Sequence, residues 1–186
     1  MKTPALISAL CLGTAVVFGQ GRVVWDENIN GPISDDFGTP TQLGALDFGT
    51  NSLIASTSTE PVGGNWIGHG NYFTFSIAPG HRVESVFLTI DSFHVAAWIG
   101  TSGFGLPTLG STGNAQSGEL LSQMAVPSIP IGSYGMFMEN HNLQPFTTVA
   151  NYRLDFVVTP VPEPAAWALL ALGGAGLWAM RRRRGP

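Results

Sequence analysis

The residues best equipped for chemistry lie near the start of the chain. Asp26-Glu27-Asn28-Ile29-Asn30-Gly31 opens like a calcium-binding loop, with oxygen donors at alternating positions and a glycine to turn the backbone. The twelfth position, where a bidentate carboxylate would close the shell, is Phe37, with Asp35 and Asp36 just before it. Asp26, Asn28, Asp35 and Asp36 are therefore candidate ligands for a calcium ion in another geometry. The simpler alternative is an ordinary acidic turn, and no other cofactor is called for.

Catalytic chemistry finds less support. His69, His81, His94 and His141 show no paired metal-ligand spacing. No serine is framed by a GxSxG elbow, and nothing pairs Asp47, Glu84, Asp91 or Glu119 as a glycosidase would need. The expectation is a protein that is not an enzyme. Among the tryptophans, Trp66 stands in the glycine-rich Gly63-Gly64-Asn65-Trp66-Ile67-Gly68, which reads as a loop, and it is the candidate for stacking on a sugar ring.

The last residues carry the strongest pattern. Pro160, Pro162 and Pro164 hold Val161 and Glu163 extended, a form that an enzyme can grip. Ala165 to Met180 follows without a charge; as a helix it would span about 24 Å, a short crossing of a bilayer. Trp167 and Trp178 suit its interfaces, and Arg181, Arg182, Arg183 and Arg184 place the C-terminus on the cytoplasmic side. A permanent anchor behind a proline-rich stalk would use the same residues. Pro-Glu-Pro, a short transmembrane helix and a basic end, in that order, resemble the PEP-CTERM sorting signal of Gram-negative and related bacteria. The resemblance implies recognition of Val161, Pro162, Glu163 and Pro164 by an exosortase in the bacterial inner membrane, with the four arginines as stop-transfer charges.

At the other end, Lys2 and the apolar run Ala5 to Phe18 read as a signal peptide over residues 1–19, ending at Val17-Phe18-Gly19. Cys11 lies inside that run, behind Leu10 rather than the small residue that lipidation needs, and it is the sole cysteine. The mature chain can then form no internal disulfide and use no thiol nucleophile. Without Lys2, Glu163 and the terminal arginines, the remainder carries 11 acidic and 3 basic side chains, a net charge of −8. That excludes nucleic acid as a natural partner.

These segments leave residues 20–160 as one cargo domain and 161–186 as the sorting signal. The cargo reads as all-β, a single jelly-roll-like sandwich. Tyr72 to Ile77 alternates with Phe73, Phe75 and Ile77 on one face; Pro79-Gly80 turns the chain, and Arg82 to Ile90 follows as the second strand of a hairpin. Val95 to Ile99, Tyr134 to Met138 and Asn151 to Val158 are further strands, the last with Tyr152, Leu154, Phe156 and Val158 on one face. Gly100 to Pro130 reads as a long loop across the end of the sandwich.

The Leu46 to Asn51 stretch and the later Tyr72-Phe73-Thr74-Phe75 strand closed by Pro79-Gly80 resemble the cargo of many PEP-CTERM proteins and bacterial pre-peptidase C-terminal domains. Asn71 stands where those carry an aspartate, so a metal role attached to that position does not transfer. The expectation is an exported protein of the cell envelope or extracellular polysaccharide matrix, first anchored in the membrane and then surface-bound or extracellular, with a structural or adhesive cargo. The alternatives are a carbohydrate-binding module and, behind it, a secreted hydrolase.

Overall fold

The computed structural model describes residues 21–91, 94–101, 108–141, 144 and 146–161. Two sheets face each other. One is ordered β1 (Arg22–Asp26), β3 (Gly49–Val62), β11 (Thr148–Pro160), β6 (His81–Ile90) and β9 (Gly118–Glu119), with β4 (Asn65–His69) also paired to β3. The other is ordered β2 (Thr41–Leu46), β5 (Asn71–Ile77), β10 (Gly132–Asn140), β7 (Val95–Thr101) and β8 (Thr108–Ala115). From β5 onward the chain changes sheet at every step except β7 to β8, the wrapped path of a jelly-roll-like sandwich.

The core lies between the sheets and follows the period of two. Phe73, Phe75 and Ile77 of β5 meet Tyr152, Leu154, Phe156 and Val158 of β11, all buried; the Phe75 and Phe156 rings are 5.1 Å apart. Each such side chain stabilises the fold by roughly 1.5–3 kcal/mol through burial alone. On β6 the alternation slips at Glu84, where Val157 pairs with Ser85 but Val158 with Val83. This bulge puts Val83, Val86 and Leu88 into the core and leaves Ile90 half-buried.

Three expectations are corrected. Tyr72 to Ile77 and Arg82 to Ile90 are both strands, but they do not form a hairpin. Ala78-Pro79-Gly80-His81 is a tight turn, with Gly80 at φ 76° and His81 N donating to Ala78 O at 3.2 Å, and it carries the chain from one sheet to the other. The two strands bury their apolar faces against each other across the core, one from each sheet. Second, the 100–130 stretch is not a long loop. Its described part holds β8, β9 and the short helix α2 (Leu120–Gln123), and it buries Leu120, Leu121, Met124, Val126 and Ile129.

Third, Trp66 lies on a strand. β3 and β4 form a ribbon joined by Gly63 and Gly64, whose φ of 58° and 85° make the two-residue turn that suits a twisted hairpin. After β4 the chain bends at Gly70 into the other sheet. An added Cβ there would meet the Phe137 ring at 2.0 Å, so only glycine fits.

The antiparallel pairing of β3 with β11 fixes two poles. Val158 lies opposite Gly49, and Thr148 opposite Thr59. β1 begins beside Asn51, near Gly49. Both ends of the described domain therefore emerge at one pole. The β3–β4 tip lies at the other, about 40 Å along the strand.

Candidate functional site

β3 has one edge covered by β11 from Gly49 to Thr59. On the opposite edge, β1 pairs with Asn51 to Ile54 and β4 with Ser58 to Val62, leaving a gap centred on Ser56. Unpaired backbone in a sheet needs partners, and here side chains supply them. Ser56 N and Oγ donate to Glu27 Oε2 at 2.7 and 2.9 Å, while Ser56 O accepts from Asn71 Nδ2 at 2.6 Å.

Local capping chemistry places Glu27. It opens the one-turn helix α1 (Glu27–Asn30), whose preceding Asp26 accepts from Asn28 N at 3.0 Å. Gly31, at φ 86°, ends the turn by donating its N–H to Glu27 O, and Trp25 Nε1 donates to Gly31 O. The second carboxylate oxygen, Oε1, accepts Ile33 N at 3.0 Å. The following loop is tied to the other sheet, since Tyr72 N donates to Ser34 O at 2.8 Å. Glu27 thus links helix, loop and strand.

Asn71 continues this seam inward. Its Nδ2 also donates to Tyr152 OH at 2.8 Å. Burial pushes the Tyr152 phenol far above its ordinary value; the Asn71 hydrogen bond opposes the shift and the Glu27 charge adds to it. Two neighbouring bonds close the same end of the sandwich. Asn140 Nδ2 donates to Thr148 Oγ1 at 3.0 Å, and Thr59 Oγ1 donates to Asn140 O.

Outside the seam lies a cleft of about 460 Å³. Glu27, Asp35, Ser58, His69 and Asn71 give it polar walls, and Pro32, Ile33 and Val149 an apolar side. His69 Nε2 lies 3.3 Å from Glu60 Oε1. Asp35 and Ser58 make no side-chain hydrogen bond among the described residues, and none reaches Asn71 Oδ1. Three acceptors are therefore free on the walls.

The candidate calcium ligands are not gathered around one point. Asp26 caps α1, where Asn28 donates to it through both N and Nδ2; Asp36 accepts Gly38 N at 2.8 Å and Thr39 Oγ1 at 3.0 Å. Only Asp35 faces the cleft. Among the described residues no three His, Cys, Asp or Glu side chains converge as a metal site.

Trp66 is exposed, at 36%, but stands away from the cleft. It pairs with Pro61 and shares the face of Thr59 and Gly68, opposite that of Ser58 and His69. Sequence reasoning missed Glu27 and Asn71 as a pair. The only available signal was an acid inside a capping sequence and a polar residue at a core position of β5.

At the exit pole, β11 is hydrogen-bonded to β3 as far as Val158 and to β6 as far as Pro160. Val161 donates its N–H to Gly80 O at 2.8 Å and is 41% exposed. The remaining motif residues Pro162, Glu163 and Pro164, the apolar run 165–180, Arg181 to Arg184 and the signal segment 1–19 lie outside the described residues. Residues 160–184 match the PEP-CTERM protein-sorting motif. No curated protein matches the chain. The motif makes this an exported, exosortase-targeted protein, held in the membrane before processing.

Proposed function

We propose that this chain is a structural or adhesive component of the cell envelope or of an extracellular polysaccharide matrix, delivered as an exosortase substrate. Residues 1–19 direct export and are removed. Residues 165–180 then hold the chain in the inner membrane, with Arg181 to Arg184 on the cytoplasmic side, while the sandwich folds outside. The exosortase reads Val161 to Pro164, and the chain is released or transferred.

The observation that carries this reading is a coincidence of boundaries: the sorting match begins at residue 160, where the last strand ends. A processing enzyme needs extended, accessible chain. Val161 is exposed, and the prolines after it keep the segment out of any sheet. The emergence of both ends of the described domain at one pole suits a domain tethered first by its N-terminal and then by its C-terminal segment.

Mass spectrometry of the C-terminal peptide, from membrane and extracellular fractions of the native cells, tests the proposal. The expected extracellular form ends near Val161 to Pro164, and any added mass identifies what it was joined to. An intact tail through Arg184 found only in membranes would make the protein a permanent anchor instead.

A further inference from the structure

We infer that the cleft beside Ser56 binds one unit of a neutral saccharide through Asp35, Ser58 and Asn71. The inference deepens the adhesive reading by naming its ligand class, and rests on that reading only for the source of the saccharide.

Asn71 turns an open acceptor toward the cleft. Asn71 is 5% exposed, and both its hydrogen bonds use Nδ2, one to Ser56 O and one to Tyr152 OH. The Ser56 carbonyl can only accept, so the amide orientation is determined and Oδ1 is what Asn71 offers to the cleft it lines. Oδ1 accepts no hydrogen bond among the described residues and is open to the solvent of the cleft. A ligand hydroxyl would satisfy it.

The other walls select the ligand. Asp35 and Ser58 are likewise unbonded among the described residues, so the cleft presents mainly acceptors to a molecule rich in O–H donors. Pro32, Ile33 and Val149 give an apolar side for the C–H face of a sugar ring. The volume of about 460 Å³ lies in the range of small-molecule sites. The walls are also preorganised, because Glu27 fixes the 31–35 loop to β3 and Tyr72 N fixes Ser34 to β5.

Charge and coordination exclude two other occupants. Glu27 and Asp35 face the cleft with no lysine or arginine on its walls, and His69 is directed to Glu60, so an anionic sugar would meet repulsion. A metal ion would lack ligands: Glu27 already accepts three hydrogen bonds, and among the described residues no third carboxylate converges. The cleft also lies in the half of the molecule away from the exit pole, where an anchored chain presents it outward.

The test is calorimetric titration of the full chain in detergent micelles with maltohexaose, cellohexaose, laminarihexaose, mannohexaose, xylohexaose and a polygalacturonate hexamer, and separately with calcium chloride. At least one neutral hexasaccharide should bind saturably. Asp35→Ala and Ser58→Ala should each weaken that binding about tenfold, as expected for one lost hydrogen bond to a ligand hydroxyl, while Trp66→Ala leaves it unchanged. The side chains of Asp35 and Ser58 hold no hydrogen bond among the described residues, so both variants should keep the wild-type unfolding transition. Absence of binding by every neutral hexamer overturns the inference. So does preference for polygalacturonate, calcium binding abolished by Asp35→Ala, or binding lost with Trp66→Ala but not with the other two. Sorting plays no part in this measurement, so its failure and that of the delivery reading are distinguishable.

Discussion

The two poles of the sandwich are held together by different means. At the exit pole, β11 runs between β3 and β6 with backbone ladders on both sides, and even Val161 is bonded to Gly80. Toward the far pole the ladder on one edge of β3 is interrupted, and Glu27 and Asn71 complete it with side chains, while Asn140 joins the two sheets through Thr59 and Thr148. Backbone pairing is indifferent to residue type, whereas side-chain pairing depends on a few identities. The end that must hand an extended chain to a processing enzyme is thus robust. The far pole carries the cleft, and both its stability and its chemistry rest on particular residues.

Glu27→Ala should strain this contrast most. It strips partners from Ser56 N, Ser56 Oγ and Ile33 N together, and should cost about 2–4 kcal/mol by chemical denaturation. Hydrogen exchange should locate the loss: amides around residues 31–35 and 55–57 should exchange faster, while those of 152–158 keep their protection relative to global unfolding. Equal relative loss at both poles would erase the distinction.

Tyr152→Phe comes next, at about 1 kcal/mol at neutral pH for one buried hydrogen bond. It also tests the seam through pH. The phenol ionises near pH 10 in the unfolded chain and resists ionisation when buried, so its stabilising effect is complete below about pH 10 and is lost as pH rises beyond it. Tyr72 and Tyr134 shift in the same direction through burial. The urea midpoint should therefore fall above about pH 10, and less steeply in Tyr152→Phe. Identical slopes would remove Tyr152 as a main source of alkaline sensitivity.

The smallest effect is a gain. After α2, Ala125 occupies φ 58° while Val126 N bonds Leu121 O and Ala125 N bonds Ser122 O, a helix ending that glycine serves best. Ala125→Gly should stabilise by about 0.5–1 kcal/mol. A thermal shift of the opposite sign would show that this turn is not strained.

Strands whose inner face is large and apolar were legible because period two shows directly in their residue types: β5, β10 and β11 are examples. β3 was not, although it is the longest. Its inward residues after Leu53 are Ala55, Thr57 and Thr59, small or polar side chains that carry no alternating hydrophobic signal yet are buried by β10 and β11. β8 failed differently: Thr108 to Ala115 is largely exposed, and it is a strand because β7 offers it an edge. Gly110 lets it lie close to residues 124–126.

The site divides along the same line. The sorting motif is matched as a linear sequence over residues 160–184, so its meaning resides in the order of residues along the chain. Proline stiffness, an uncharged apolar run and terminal arginines act through local covalent geometry and transfer to lipid, and the sequence by itself determined them. The cleft is different in kind. Glu27 and Ser56 lie 29 residues apart, and Asn71 and Tyr152 are separated by 81. Nothing local couples them. Only the tertiary structure decided that a carboxylate from a capped turn and an amide from another sheet should meet at one gap in β3, because each satisfies a backbone group that the strand order had left without a partner.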